Sequence, residues 1–152
     1  MPLAANDAPP PHSHHLKFRC LPDCYAILRL QPDTAIPDWA TGNFTSITRT
    51  PDELSLVCPT ENVPPTLRPP QRWICLKLEG PFPLSQTGIL LSFIEPLSDN
   101  GVPIFAIATY DTDYVLIQEE YAGRAISALQ QAGHELWPRD DSWRKLLPKH
   151  ER

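Results

Sequence analysis

Nineteen prolines punctuate a chain of 152 residues, and where they fall decides which stretches can be regular structure at all. Proline has no backbone N–H and a fixed φ, so it is disfavoured in helix interiors and central strands and collects at turns and connectors. Four lie in MPLAANDAPPPHSHH, residues 1–15, which have little apolar content and read as a disordered leader. Five more lie in PTENVPPTLRPP, residues 59–70, an irregular connector between two structured parts. The expected organisation is a leader over 1–15, an N-terminal half over 16–70, a C-terminal half over 71–138 and a charged tail over 139–152. In the tail, Trp143, Leu146 and Leu147 could dock as a short helix.

In the first half CYAILRLQ (24–31) alternates as a strand, with Tyr25 and Ile27 on one face and Ala26, Leu28 and Leu30 on the other. FTSITRT (44–50) and ELSLVC (53–58) form a hairpin through Pro51-Asp52, and Trp39 plugs the end of this half. The second half is more regular. WICLKLE (73–79) is a strand. Ile89, Phe93 and Leu97 at spacing four mark a helix, capped by Ser85 or Thr87, stopped by Asn100-Gly101 and kinked in its last turn by Pro96.

VPIFAIATY (102–110) and YVLIQEE (114–120) then make a second hairpin, and Ala122, Ala125, Ile126 and Leu129 stripe a second helix that ends at Gly133. HELW (134–137) returns as a strand. The series strand, helix, strand, strand, helix, strand predicts an α+β, ferredoxin-like βαββαβ unit with both helices on one sheet face. Residues 102–107 and 114–117 are apolar on both faces, so the first half or a second copy of the chain must cover the other side. Open strand edges in so small a sheet point to a homodimer.

Composition removes whole classes of function. A formal charge of −5 argues against nucleic acid as a partner. No run of about 20 apolar residues and no basic-then-apolar start is present, which predicts no membrane association and a reducing, cytoplasmic setting. Six glycines provide neither a GxGxxG turn nor a Walker loop. His12, His14 and His15 fall in or beside the leader and His150 in the tail; only His134 belongs to the fold, as a surface or hydrogen-bonded ring, so general acid–base chemistry lacks its usual residue and no enzyme is expected. Cys58 and Cys75 read as buried thiols. The CxxxC spacing of Cys20 and Cys24 beside the leader histidines is poor for zinc, so no metal and no cofactor are expected.

The strings CYAILRL, IPDWA and GNFTSITRTPDELSLVCP, followed by LEGPFPLSQTGILLSFIEPLSDNGVPIFAIATYDTDYVLI, resemble the tandem ACT-like proteins related to the CASTOR arginine sensors, over residues 21–137. That resemblance implies a ferredoxin-like ACT domain in tandem with a degenerate, mostly β ACT-like half. In the sensors an amino acid is held between units and changes the binding of a partner protein. The motifs that carry over are Thr87-Gly88-Ile89 at the helix start, Thr109-Tyr110 at a strand end and Asp113, with Ala108 where the sensors have Ser. A sensor has four units and this chain two, so the resemblance implies that the site is completed by dimerisation.

The residues themselves support two poles. A helix start offers unpaired N–H groups and positive potential, and Gly88 admits a carboxylate close to the backbone. Thr109, Asp111 and Asp113 supply acceptors for an ammonium group. Each feature also has a purely structural reading: a helix cap, a solvated turn, a packing aromatic at Tyr110. The expected function is a non-catalytic regulatory module binding a small ligand, an amino acid, as a homodimer. The alternative is a protein–protein interaction module without a small ligand, using strand edges and the leader to hold a protein partner that the sequence does not identify.

Overall fold

Residues 14–151 are described by a computed structural model. In chain order the elements are β1 (Lys17–Cys20), β2 (Tyr25–Leu30), β3 (Ser46–Arg49), β4 (Leu54–Pro59), β5 (Trp73–Leu78), α1 (Ile89–Asp99), β6 (Phe105–Ala108), β7 (Asp113–Gln118), α2 (Ala122–Gln131) and β8 (Glu135–Leu136). From β5 onward they follow the βαββαβ series expected from the periodicity, and the fold is α+β of the ferredoxin type.

The strand the periodicity did not reveal is β1. It inserts between β5 and β8, antiparallel to the first (Phe18 opposite Leu78) and parallel to the second (Phe18 opposite Leu136). The sheet therefore runs β8-β1-β5-β7-β6, and the last strand pairs with β1 where a plain ferredoxin-like unit would pair it with β5. The Glu135 and Trp137 N–H groups donate to the Leu16 and Phe18 carbonyls, both at 2.8 Å. Leu16 and Phe18 face the core while Lys17 and Arg19 face water, the alternation of a half-buried strand.

Just beyond β1 the chain stays on the same edge of β5, where Tyr25 pairs with Trp73. It then departs into the antiparallel arm β3-β4-β2 of the same eight-stranded sheet. β2 distributes its side chains as its alternation predicts. Tyr25 and Ile27 join Phe44 and Val57 over Cys75 and Leu116, so the N-terminal strands cover the sheet face opposite the helices. Ala26 and Leu28 turn the other way, into a small core with Leu54, Leu56, Cys58 and the partly buried Trp39. The main core lies under the helices, where Phe18 meets Phe93 edge-to-face at 5.2 Å between ring centroids. The two outer strands, β3 and β6, border a groove of about 580 Å³ whose lining includes Phe44, Val57 and Phe105.

Both helices stop on left-handed glycines, Gly101 (φ +69°) and Gly133 (φ +93°). In each case the N–H groups of the glycine and the residue after it bond back to the last turn: Gly101 to Ser98 and Val102 to Leu97, Gly133 to Gln130 and His134 to Leu129. These are Schellman ends, in which two otherwise orphaned carbonyls find donors. The start of α1 differs from the expected Ser85 or Thr87 cap. Gly88 itself holds the N-cap position at φ +80°, with no side-chain cap hydrogen bond.

Pro96 stands inside α1 and cannot donate to the Ser92 carbonyl one turn back. His134 fills that gap. Its Nδ1 accepts the Leu16 N–H at 3.1 Å, which leaves Nε2 as the protonated nitrogen, and Nε2 donates to the Ser92 carbonyl at 2.9 Å. The ring is buried and satisfied at both nitrogens, one of the two readings the sequence allowed. It ties the strand β1, the helix α1 and the end of α2 together.

Candidate functional site

At the end of the sheet where β5 leads into α1, the β5–α1 connector meets the tip of the β6–β7 hairpin. Thr112 is the anchor. It is buried, and its hydroxyl donates to the Leu78 carbonyl at 2.8 Å, pinning the hairpin tip to the end of β5. Within the tip, the Thr109 N–H and hydroxyl both donate to the Thr112 carbonyl at 2.9 Å, a closed turn that consumes the Thr109 hydroxyl proton. The Phe82 N–H donates to the Asp111 carbonyl at 2.8 Å, and a Cβ placed on Gly80 would stand 3.0 Å from that same oxygen. Glycine at position 80 is thus what lets the β5–α1 connector lie against the tip.

The connector then reaches the helix start. Gly88 accepts both the Ser92 N–H (3.0 Å) and the Ser92 hydroxyl (2.7 Å) through its carbonyl, while Ile89 is buried in the main core and Thr87 is exposed. Asp113 pairs with Ala108 at the head of the β6–β7 ladder and is half-buried. Its carboxylate has no hydrogen-bond or ion-pair partner among the described residues, and burial pushes its pKa above the ordinary carboxylate value. Asp111 is exposed, and Tyr110 is 79% exposed, so it is neither a packing aromatic nor a lid in the isolated chain.

The structure therefore brings Asp111, Thr109 and the helix-start connector to one end of the sheet. The bonds joining the two poles run through Leu78, Phe82 and Thr112, residues the sequence did not single out. Thr112 read as one polar member of the DTD turn, and only its burial reveals the anchoring role. Leu84 on the connector, Leu91 in the first turn of α1 and Tyr110 at the hairpin tip are exposed apolar side chains.

Other candidate features resolve as structure. Arg49 donates to the Pro32 carbonyl and, at 2.9 Å, to the Thr34 carbonyl, bracing the loop beside β3. The four cysteines are free thiols, and Cys24, Cys58 and Cys75 are buried. Among the described residues no group of three or more His, Cys, Asp or Glu side chains could hold a metal ion; His12 lies outside them. No described helix is long and apolar enough to cross a membrane.

Fold and site together define an α+β protein on the ACT-type scaffold, and the comparisons agree. Residues 68–131 match the family profile of the ACT domain, and residues 23–66 match that of a separate N-terminal domain. The solved structure of protein Atu0741 from Agobacterium tumefaciens is 42% identical, covers 81% of this chain and 92% of its own, and superposes with a TM-score of 0.73. The chain belongs to the family of that protein, with an ACT domain in its C-terminal part. VC0802 from Vibrio cholerae, described as a protein of unknown function and possible transport protein, shares the fold at 22% identity, with 78% and 90% coverage and a TM-score of 0.67. Aspartokinase alpha and beta subunits share it at 16% identity, with 78% and 98% coverage and a TM-score of 0.55. No curated protein matches the chain.

Proposed function

We propose that this protein is a non-catalytic, cytoplasmic regulatory module that binds a small amino acid where α1 begins, at a site completed by a second copy of the chain. The observation that carries the reading is the hydrogen-bonded joining of helix-start connector and hairpin tip at one end of an ACT domain. The N–H groups at the start of α1, with a glycine at the N-cap, suit an α-carboxylate. Asp113 suits the ammonium: a half-buried carboxylate without a partner among the described residues gains from an incoming cation, which would lower its raised pKa. Thr87, Ile89, Thr109, Tyr110 and Asp111 complete the site.

The exposed side chains of Leu84, Leu91 and Tyr110 supply the surface that the second copy covers. The resemblance to the tandem ACT-like sensors adds the consequence: a ligand between units shifts how they pack and so changes the binding of a protein partner.

The test is calorimetric titration and thermal shift with the twenty amino acids, because a ligand specific to the native state raises the melting temperature as RT ln(1 + [L]/Kd). One amino acid should give a saturable shift. Asp113→Ala should abolish it without lowering the melting temperature of the free protein, since it removes a carboxylate that burial disfavours. Tyr110→Asp should dissociate the dimer in sedimentation velocity and weaken the ligand with it. Failure of every amino acid to bind, or binding indifferent to Asp113→Ala, sinks the reading. These exposed side chains would then favour an interaction module that takes a protein partner directly.

A further inference from the structure

The groove between β3 and β6 has strand edges for both of its walls. Among the described residues β3 pairs only with β4, and β6 only with β7. The ladders fix which backbone groups face the gap. The Thr50 N–H donates to the Glu53 carbonyl at 2.9 Å across the β3–β4 turn, so, counting back in twos along the register, Thr48 and Ser46 bond to β4. Ile47, between them, turns its N–H and carbonyl outward. Likewise the Thr109 N–H donates to the Thr112 carbonyl at 2.9 Å, so Ile107 and Phe105 bond to β7 while Ala106 and Ala108 face the gap. Edges of this kind are templates for another extended chain.

Between the walls, Phe44, Val57 and Phe105 give the groove an apolar floor continuous with the core over β5 and β7. Phe44 meets Tyr114 of β7 with ring centroids 4.5 Å apart, which ties the walls together at that end. The groove encloses about 580 Å³, and each wall is a strand of four residues, ~13 Å long. Among the described residues lining it, Glu53 alone is charged, and its carboxylate lies 4.0 Å from the Arg29 guanidinium. Ser46, Thr48 and Ser55 add hydroxyls. The lining is therefore complementary to an uncharged segment. A folded second copy cannot seat an edge strand here, because the neighbour that its own sheet gives that strand would collide with the opposite wall. The occupant has to be unpaired on both sides.

We propose that this groove captures a short, extended, uncharged segment of a partner protein as an added strand between β6 and β3. Its backbone pairs with Ala106 and Ala108 on one side and with Ile47 on the other. Alternate side chains of the segment rest on Phe44, Val57 and Phe105 while the rest face water. Main-chain bonds then supply affinity, and the floor selects β-branched or small apolar residues at every second position. The groove uses neither α1 nor the connector that leads into it, so this capture is independent of an amino acid bound at the helix start.

The probe is the fluorescein-labelled peptide Ser-Val-Thr-Val-Thr-Val-Ser, titrated into the full chain by fluorescence anisotropy, with the same peptide N-methylated at alternate residues as the control. Saturable binding of the first and none of the second is expected. Amide hydrogen exchange read by NMR should show Ile47, Ala106 and Ala108 gaining protection on binding, while Ser46, Thr48 and Ile107, already bonded in the ladders, stay as they are. Ala106→Pro removes a donor that faces the gap and leaves the β6–β7 ladder whole, so it should weaken the peptide about tenfold with the melting temperature unchanged. Thr48→Trp, at an exposed position on the Val57 face of β3, fills the groove and should abolish binding. Equal binding of the N-methylated peptide, no gain of protection at Ala106 and Ala108, or affinity unchanged in both variants would overturn the proposal. So would protection of these amides in the free protein: if independent of concentration it assigns the groove to the chain's own residues 1–13, and if it rises with concentration, to a second copy.

Discussion

At the scale of single residues, His134 illustrates how a local defect is turned to use. Pro96 orphans the Ser92 carbonyl, the start of β1 offers the Leu16 N–H, and one neutral imidazole satisfies both. The arrangement requires the neutral ring. Burial is the main reason the His134 pKa falls below its ordinary 6.5, with nearby His15 acting in the same direction and the Ser92 carbonyl opposing them. The unfolded chain therefore takes up this proton at a higher pH than the folded one. The stability that the ring contributes is complete above about 6.5 and is lost as the pH falls through the lower folded-state value. Thermal melts from about pH 7 to about pH 5 should show this loss in the natural chain. His134→Gln, whose amide can donate to Ser92 and accept from Leu16, should flatten that slope, whereas His134→Ala should cost about 2–4 kcal/mol by leaving two buried groups unpaired. Identical pH slopes for the natural and Gln chains would refute the role assigned to the ring.

At the scale of elements, what the sequence shows depends on how many residues an element repeats its pattern over. The two helices and the two hairpins were legible because Ile89, Phe93 and Leu97, or Ala122, Ile126 and Leu129, repeat over several turns, and because Gly101 and Gly133 stand where left-handed backbone is needed. β1 was not. Four residues with one fully buried apolar side chain, Phe18, give no periodicity to count, and its pairing with β8 spans nearly the whole chain. The start of α1 escaped for a different reason: Ser85 and Thr87 are good caps by composition, but the connector's approach to the hairpin tip places Gly88 at the N-cap instead. The candidate residues were legible as motifs and their arrangement was not, since the bonds at this end of the sheet come from Thr112 and the Phe82 backbone. The helix ends give a measurable test. Gly133→Ala should destabilise by about 1–2 kcal/mol through left-handed strain, and more than Gly101→Ala. A Cβ at 133 would stand 3.0 Å from the His15 ring, whereas the space at 101 is open. Chemical denaturation of the two variants ranks them; equal losses would mean that the His15 ring yields freely.

At the scale of the whole molecule, the two arms of the eight-stranded sheet are laced together by the chain that connects them. Phe18, eighteen residues from the start, packs on Phe93 under the helices, and seven residues later Tyr25 is fully buried over Cys75 and Leu116 on the opposite face. β5 is the shared member: it hydrogen-bonds β1, β7 and the start of β2. A fold whose N-terminal and C-terminal parts merely touched would melt in two steps, each sensitive to its own core. Here the loss of either core exposes a face of β5 or strands β8 without its partner, so the two should melt together as one cooperative unit. Phe18→Ala, in the core under the helices, and Leu56→Ala, in the small core of the N-terminal sheet, each remove a fully buried side chain and should cost about 3–5 and 2–5 kcal/mol. Differential scanning calorimetry should show a single transition in the natural chain, displaced as a whole by either substitution. Two resolved transitions, with Phe18→Ala moving one and Leu56→Ala the other, would show instead that the N-terminal sheet folds independently. That sheet would then be tied to the ACT end only through the short segment 21–24 and the connector 60–72.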